Sequence, residues 1–444
     1  MRALLIATGR RISPFDEAPG AALYGRSTVG AAVREALTRR GLTIVEVAAD
    51  GDVPASAEPT VVLADHTFVT EKCLGDFLER AFDVVATGGE ARLALARTPS
   101  VDFLRPVSSA TIEPFDDDGL GAAVPARGRF ATRHESAARE RVAYDCFFVA
   151  RVEAQPAAAL LARLRQEARR VVVPKKELGI PLRLPTLGEG NGTLLIPVTS
   201  TLAAHVEHWV HVLWLNQAGF GAQWMDLLRA HKAWAFARAL AGAPWSFAAL
   251  TKSLVRRGRG ARIHPTAHVE ASILGDDVVI GAGASVRNSI VGDGVVVGDH
   301  ATVLSSTLGA RVGVTPRSFV VWSAAYEDAV LSNYKLQVSL IGRGASLSTW
   351  AGFIDAKLQG SVDVRHDGAL VSTERSFLGS CLGHGGHVGA KVLLLPGREI
   401  PGGAFVAMRP DELIVDVPRE LPAGVPLVRD RGRLVPLASL RASS

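Results

Sequence analysis

Residues 262–314 read RIHPTAHVEASILGDDVVIGAGASVRNSIVGDGVVVGDHATVLSSTLGARVGV, and this stretch repeats itself every 17 residues. Within each repeat the apolar residues are separated by steps of six, five and six. A serine lies within each five-residue step, two residues before the apolar residue that ends it: Ser272, Ser289 and Ser306. The apolar positions of the repeat are Ile263, Val269, Leu274, Ile280, Val286, Val291, Val297, Val303, Leu308 and Val314.

This spacing is typical of a parallel β-helix, in which an apolar residue on each flat face points inward and a small residue turns each corner. The stretch therefore predicts a three-faced, left-handed parallel β-helix. A helical repeat of about 3.5 or 3.6 residues does not divide these steps, and the many glycines would destabilise an α-helix. Backbone conformation is a sufficient explanation for the corner residues, which are Gly275, Gly281, Gly292, Gly298 and Gly309 with Asp276, Asp293 and Asp299.

The composition indicates a soluble protein with more than one domain. The chain has 444 residues, of which 48% are hydrophobic and 21% are charged, so it can bury two or more cores. The apolar run at the N-terminus is too short for a signal peptide, and no apolar stretch reaches membrane-spanning length. We therefore predict a cytoplasmic location and no membrane span. Cys73, Cys146 and Cys381 lack the spacing of metal ligands and are predicted to be buried thiols.

A net charge of +5 is modest for this length, so it does not imply nucleic acid binding, although it would tolerate anionic substrates. One basic cluster lies just before the first repeat, at Arg256, Arg257, Arg259 and Arg262. A solvated linker is the default interpretation of such a run, and phosphate binding is the alternative.

The first 90 residues alternate between strand and helix patterns. The predicted strands are 2–7, 42–47, 60–64 and 83–87, and the predicted helices are 28–39 and 72–82. Such alternation predicts an open, Rossmann-like α/β sheet, whose ligands bind at the carboxyl ends of the strands. Two of those ends carry polar groups: the loop from Thr8 to Pro19, and Asp65 with His66.

Residues 6–26, IATGRRISPFDEAPGAALYGR, resemble the opening signature of sugar-1-phosphate nucleotidyltransferases. That family's pattern is L-A-A-G-x-G-T-R-L-x-P followed by P-K-P-L. One glycine of the pattern is missing, and Gly20 stands where the family has a lysine. The matching positions are Ala7, Gly9, Arg11, Ile12, Pro14, Pro19 and Leu23.

The resemblance implies a transferase that joins a nucleoside triphosphate to a sugar phosphate. It places nucleotide binding at Ala7, Gly9, Arg10 and Arg11, with Arg11 also catalytic because it would stabilise the leaving pyrophosphate. Asp65 resembles the family's aspartate that holds Mg²⁺, a cation that prefers oxygen ligands. Lys175 and Lys176, at the end of a predicted strand, are candidate sugar-phosphate contacts, with an exposed turn as the alternative.

The missing lysine favours weak activity. The first lysine of the chain is Lys72, so only Arg10, Arg11 and Arg26 could substitute for it. A guanidinium binds phosphate as a fork, whereas an ammonium binds it as a point charge, so the replacement is not equivalent. We expect weak nucleotide binding and slow or absent turnover. A descendant of the family that has lost its chemistry and only binds or assembles is the alternative.

A second candidate site lies in LGHGGHVGA, which contains His384 and His387. Hexapeptide acyltransferases use a histidine on a coil as general base for transfer from a thioester such as acetyl-coenzyme A. The order of parts also resembles the bifunctional enzymes that acetylate glucosamine-1-phosphate and then uridylylate it. His384 and His387 are therefore candidate catalytic bases, with a role as corner residues as the alternative.

The predicted division is 1–198 for the nucleotidyltransferase-like α/β domain, 199–257 for a helical linker, 258–418 for the β-helix and 419–444 for a C-terminal tail. Residues 315–376 lose the period and are predicted to be an insertion. Exposed β-helix faces commonly pack around a symmetry axis, so we expect a homo-oligomer, either a trimer or a dimer.

Two helices are predicted in the linker, one beginning at Thr199 or Ser200. His205, His208 and His211 would then lie on the first helix, three residues apart. Residues at this spacing point in successively different directions around a helix, so the three side chains would not converge on one point. We therefore interpret them as packing residues at a domain boundary and keep one shared metal ion as the alternative.

Overall fold

The computed structural model describes residues 1–114, 140–174, 177–183, 193–241, 254–332, 335–409, 412 and 424–441. Its N-terminal part combines a mixed sheet with flanking helices. The strands are β1 (Arg2–Ile6), β2 (Leu23–Tyr24), β3 (Ser27–Thr28), β4 (Thr43–Val47), β5 (Asp52–Val53), β6 (Thr60–Ala64), β7 (Thr67–Val69), β8 (Glu90–Ala96), β9 (Ile112–Pro114), β10 (Glu140–Val149), β11 (Gln155–Pro156), β12 (Arg169–Val173), β13 (Leu178–Arg183), β14 (Thr193–Val198) and β15 (Ala203–His205). The helices are α1 (Val29–Arg39), α2 (Glu71–Ala86), α3 (Pro99–Leu104), α4 (Ala157–Glu167), α5 (Trp209–Ala230) and α6 (Lys232–Ala241), with a 3₁₀ turn at Pro19–Ala21.

The main sheet has the order β12-β8-β10-β6-β1-β4, with β9 beside β10. Strand β10 runs antiparallel to β6 and β8, whereas β1 is parallel to both β4 and β6. Strand β6 is buried along its whole length because both faces of the sheet are covered. Helices α1 and α2 pack on one face, and α4 packs on the other. The α/β sheet predicted from the alternating pattern is present.

Two local predictions differ from the structure. Residues 83–87 were expected to form a strand, but Asp83–Ala86 continue α2, because Phe77, Ala81 and Val85 extend its buried face by full helical turns. A helix was expected from Thr199 or Ser200. Instead β15 pairs with β7, and the helix begins only at Trp209, because the side chain of His208 caps its first turn.

The C-terminal part is a parallel β-helix of three strand stacks. The first contains β16 (Val255–Arg256), β19 (Ser272–Leu274), β22 (Ile290–Val291), β25 (Thr307–Leu308), β28 (Ala324–Ala325), β31 (Leu340–Ile341), β36 (Cys381–Leu382) and β39 (Glu399–Ile400). The second contains β17 (Arg262–Ile263), β20 (Val279–Ile280), β23 (Val296–Val297), β26 (Gly313–Val314), β29 (Val330–Leu331), β32 (Ser346–Leu347), β37 (His387–Val388) and β40 (Phe405–Val406). The third contains β18 (His268–Glu270), β21 (Ser285–Arg287), β24 (Thr302–Leu304), β27 (Phe319–Val321) and β30 (Leu336–Gln337), and β33 (Gly352–Phe353) pairs with β38 (Leu393–Leu394).

The strand register confirms the predicted repeat. Ile280 pairs with Val297, and Val297 pairs with Val314, so each residue stacks on its equivalent one coil later. The inward residues form one core, and the prediction of a parallel β-helix is therefore confirmed. The predicted buried thiols are also confirmed, since Cys73, Cys146 and Cys381 are free and buried.

A ladder of buried serines explains the short step of each coil. The hydroxyl of Ser306 donates to the carbonyl oxygen of Leu304 (2.9 Å) and accepts from the backbone N–H of Ser323 (3.2 Å). The same pair of bonds recurs along one edge of the prism, so each serine satisfies polar backbone groups that no water reaches. The ladder comprises Ser272, Ser289, Ser306, Ser323 and Ser339, and the N–H of Ser380 bonds the last hydroxyl.

The predicted insertion at 315–376 differs from the structure. The first two stacks continue through Ile341 and Leu347 and pair directly with Cys381–Leu382 and His387–Val388. The third stack ends at Gln337, and the excursion from the β-helix lies between Phe353 and Cys381. It contains an antiparallel hairpin of β34 (Asp363–His366) and β35 (Ala369–Ser372). The coil from Val314 to Leu331 keeps the 17-residue spacing, and the period shifts only after it, where the ladder step from Ser323 to Ser339 is 16 residues. After the excursion a further antiparallel pair, β41 (Leu427–Asp430) with β42 (Arg433–Pro436), precedes α7 (Leu437–Arg441).

We expect Ser306→Ala to lower the free energy of unfolding by about 1–3 kcal/mol, because it leaves the buried N–H of Ser323 without an acceptor. Urea denaturation measures the change. Ser285→Ala, on the outer side of β21, is the control and should have little effect. Equal stability of the two variants would contradict a structural role for the ladder.

The first stack of the β-helix faces the N-terminal part. Tyr326, Leu340 and Cys381 join the core that contains Trp209 and Trp214 of α5. Phe15 of the loop that follows β1 belongs to the same cluster, so one apolar cluster spans the contact between the two parts.

Candidate functional site

The loop after β1 and the residue after β6 meet at the edge of the sheet. The backbone N–H and the hydroxyl of Thr8 both donate to Oδ1 of Asp65, at 3.1 Å and 2.6 Å. They come together because β1 and β6 are parallel neighbours, so that their carboxyl ends lie side by side. Strand β4 lies on one side of β1, and the later strand β6 lies on the other side, so the strand order reverses at β1. Ligands of α/β sheets bind at such a reversal.

The loop itself offers unpaired donors. Gly9 has a φ of +70°, a conformation that favours glycine. Ala7 donates its N–H to Val47, and Thr8 donates to Asp65, but the N–H groups of Gly9, Arg10 and Arg11 have no acceptor among the described residues. Consecutive N–H groups of this kind form anion-binding concavities.

Arg10, Arg11 and Arg26, the possible substitutes for the missing lysine, differ in their ion-pair partners and in their exposure. Arg10 is tied to the buried carboxylate of Glu207 (2.9 Å). Arg26 pairs with Asp293 of the β-helix (2.5 Å). Arg11 is 62% exposed and only loosely associated with Asp16, at 3.8 Å. Of these side chains, that of Arg11 is the most available to a ligand.

A buried polar cluster lies beneath the loop. Strand β10 bulges between Ala143 and Phe147, and Asp145 lies within the bulge. Its carboxylate accepts hydrogen bonds from Arg92 (3.0 Å) and from Arg165 (2.7 and 2.9 Å), while Nε2 of His66 lies 3.3 Å away. Burial would raise the pKa of Asp145, but His66, His205 and Arg165 outweigh it and hold that pKa well below its usual value. Asp145 is therefore the charged centre of a buried ion-pair network.

Glu207 and His205 complete the cluster. Burial would raise the pKa of Glu207, but His205 and the hydrogen bonds from Ser109 lower it to about 2. His205 accepts the N–H of Asp145 at Nε2 (3.1 Å) and contacts the hydroxyl of Ser109 at Nδ1 (3.3 Å). Burial, followed by the charge of His66, lowers the pKa of His205 to about 4, so this imidazole is neutral.

The ligand atoms of His66, Asp145 and His205 lie within 4.8 Å of one another, which suggests a metal site. The chemistry of the donors does not fit one. Both oxygens of Asp145 are bonded to arginine, and Nε2 of His205 is occupied by a backbone N–H. A cation there would have to displace these partners, so the cluster is better explained as a structural network.

Asp65 fits Mg²⁺ better. Its Oδ1 is held by Thr8, whereas its Oδ2 has no partner among the described residues. Mg²⁺ is commonly held by one or two carboxylates together with substrate phosphates and water. Asp65 would provide such a carboxylate.

The two candidate catalytic histidines differ in their contacts. His384 accepts the backbone N–H of Arg343 at Nδ1 (2.8 Å), so its proton is on Nε2, which donates to Glu17 (3.2 Å). Neither nitrogen has a lone pair left for a substrate. His387 bonds the hydroxyl of Ser346 through Nδ1 (2.7 Å), and its Nε2 has no partner in the described part of the chain.

Residues 12–17 of the loop dock onto the β-helix. The ring of Phe15 lies 4.7 Å from that of His384 and 5.1 Å from that of Tyr326. Glu17 accepts hydrogen bonds from both Tyr326 and His384. The geometry thus gives His384 a docking role rather than the predicted role of general base.

The remaining predicted residues are less informative for the site. Lys175 and Lys176 lie outside the described residues. His208 caps α5, and His211 accepts the N–H groups of residues 207 and 208 and donates to Pro106, so they hold different partners from His205. No ion shared by the three is needed, which agrees with the packing interpretation.

Sequence reasoning did not identify Asp145 or Glu207 as members of a polar cluster. Asp145 had a signal, because it is a lone carboxylate inside the apolar run YDCFFV. Glu207 was noticed only as a neighbour of the histidines. Its partner Arg10 is nearly 200 residues away in sequence, and spacing cannot reveal such a contact.

A family described as GlmU-like, C-terminal hexapeptide, matches residues 241–321. The chain is similar to that family over the first coils of the β-helix. The match does not reach Asp65, His384 or His387. No curated protein matches the chain. None of the helices in the described ranges is long and apolar enough to cross a membrane.

Proposed function

We propose that the chain is a transferase of the sugar-1-phosphate nucleotidyltransferase type, which joins a sugar phosphate to a nucleoside triphosphate with release of pyrophosphate. The supporting observation is the arrangement at the end of β1, where Thr8 anchors the carboxylate of Asp65 and the next three N–H groups, from Gly9 to Arg11, have no acceptor among the described residues. The similarity of the coils to a GlmU-like hexapeptide domain agrees with this proposal.

Each element has a separate task. The N–H groups of the loop bind phosphate oxygens, and Asp65 would hold Mg²⁺, which would supply positive charge beside the phosphates. The guanidinium of Arg11 stabilises the leaving pyrophosphate. Thr8 fixes the rotamer of Asp65, so that the carboxylate is preorganised for the cation.

Titration calorimetry with Mg²⁺ and nucleoside triphosphates tests this proposal. We expect micromolar or weaker binding, because Gly20 stands in place of the lysine and Arg10 is held by Glu207. Binding should be lost in Asp65→Ala. Submicromolar affinity that survives both Arg11→Ala and Asp65→Ala would mean that the nucleotide site lies elsewhere.

Acyl transfer is a second candidate, and the contacts of His387 favour it. A general base needs one ring nitrogen oriented by a partner and the other available to the substrate, which is the arrangement that Ser346 gives His387. His387→Ala should abolish release of coenzyme A from acetyl-coenzyme A in the presence of amino sugars, while the melting temperature is unchanged. Absence of activity in the wild type would exclude this function for the acceptors tested.

The homo-oligomer and the cytoplasmic location stay predictions. Exposed apolar side chains on the second stack, Val296, Val330 and Phe405, suit a contact between copies. The mass from light scattering at tens of micromolar decides the first, and a monomer would contradict it.

A further inference from the structure

A cavity of about 770 Å³ lies between the N-terminal part and the β-helix. One wall is the loop after β1, including Arg11 and Ser13. The other wall comes from the excursion hairpin, through Arg365, and from the last coils, through Arg398 and Glu399. Its volume falls in the range of sites that bind small molecules. Neither Gly9 nor Asp65 lines it, so it lies beside the proposed nucleotide site and shares Arg11 with that site.

Three arginine side chains line this cavity without a strong acidic partner. Arg365 and Arg398 are exposed, and neither forms an ion pair with any described residue. Arg11 donates to the carbonyl oxygen of Asp16 (3.2 Å), and its Nε is 3.8 Å from that residue's carboxylate. Elsewhere in the β-helix, arginines such as Arg311 and Arg343 are matched by carboxylates. Arg365 and Arg398 thus bring to the cavity two positive charges that no described carboxylate pairs with, which suits an anion.

Two carboxylates line the cavity, those of Asp16 and Glu399, and neither neutralises Arg365 or Arg398; Asp16 is 3.8 Å from Arg11. Glu399 accepts hydrogen bonds from Ser13 (2.9 Å), from Trp209 (2.9 Å) and from His208 (3.1 Å). Its charge is therefore solvated by the protein. The same bonds hold the loop, the start of α5 and the last coils together, so they fix the distance between the two walls.

We propose that this cavity binds a small phosphorylated molecule, a phosphomonoester or a diphosphate, through Arg11, Arg365 and Arg398. Guanidinium groups match phosphate geometry through paired N–H donors, and three of them surround the anion from both parts of the chain. The bound molecule would bridge the N-terminal part and the β-helix.

Calorimetry with inorganic pyrophosphate and with glucose 1-phosphate tests the site. The titrations are carried out in EDTA and in the Asp65→Ala protein, so that Mg²⁺-dependent binding at the nucleotide site does not contribute. We expect at least one probe to bind. Arg365→Ala and Arg398→Ala should each weaken binding about tenfold or more, and the double variant should abolish it. Arg80→Ala removes another exposed arginine without an ion pair in the described residues and is the matched control, with unchanged affinity.

Thermal melting distinguishes a binding role from a structural one. Removing Arg365 or Arg398 relieves repulsion, so the melting temperature should be unchanged or higher. No binding of either probe at millimolar concentration would overturn the proposal, and so would equal affinity of Arg365→Ala, Arg398→Ala and Arg80→Ala. Either result leaves the nucleotidyltransferase proposal intact, because that proposal depends on Asp65.

Discussion

Asp145→Asn is expected to destabilise the protein by about 3 kcal/mol, the lower end for breaking a buried ion pair, because it leaves the nearly buried Arg92 and the partly exposed Arg165 without their counter-charge. Arg92 and Arg165 bond only to this carboxylate among the acidic groups of the described residues. The asparagine keeps the size of the side chain, so the loss comes from charge rather than from a cavity. The unfolding free energy from urea denaturation at pH 7 measures it.

Asp328→Asn is the control for this experiment. Asp328 pairs with Arg311 on an exposed corner of the β-helix, where water solvates both groups, so its replacement should change stability little. A similar loss in both variants would contradict a special role for the buried network. An unchanged stability of Asp145→Asn would show that Arg92 and Arg165 find other partners.

Asp65→Asn is expected to lower the rate of nucleotide-sugar formation at least about a hundredfold, because a neutral amide is a poor Mg²⁺ ligand and the ion's charge stabilisation amounts to several kcal/mol. Thr8 can still donate to the amide oxygen, so the loop should keep its position. The melting temperature should therefore stay close to that of the wild type. Rates at saturating Mg²⁺ measure the effect.

Asp50→Asn provides the matched control, since Asp50 is an exposed carboxylate shortly after β4. Its rate should equal that of the wild type. If Asp65→Asn and Asp50→Asn have the same rate, the carboxylate after β6 takes no part in the reaction.

The β-helix could be predicted from sequence because its contacts repeat at a fixed distance along the chain. The coils within residues 262–314 show the same apolar steps, so this stretch of 53 residues was sufficient. The coil from Val314 to Leu331 keeps the spacing, and the coils after it were missed because one coil is a residue shorter and shifts the period. The serines of the ladder continue through Ser323 and Ser339, so their spacing would have predicted more coils than the apolar residues did.

The site was only partly predictable. Asp65 could be found because a strand end is a local feature of the sequence. The docking of Glu17 on His384 could not, because these residues are 367 positions apart and nothing local distinguishes a docked histidine from a catalytic one. The same limit applies to Arg11, whose cavity partners lie more than 350 residues later.

Pyrophosphate release tests the central proposal most directly. The wild-type protein is incubated with Mg²⁺, a panel of nucleoside triphosphates and a panel of sugar 1-phosphates, and pyrophosphate is measured over time. We predict slow release with at least one pair of substrates, dependent on the sugar phosphate and lost in Asp65→Asn. Absence of release from every pair, or release that Asp65→Asn leaves unchanged, would contradict the proposed nucleotidyltransferase.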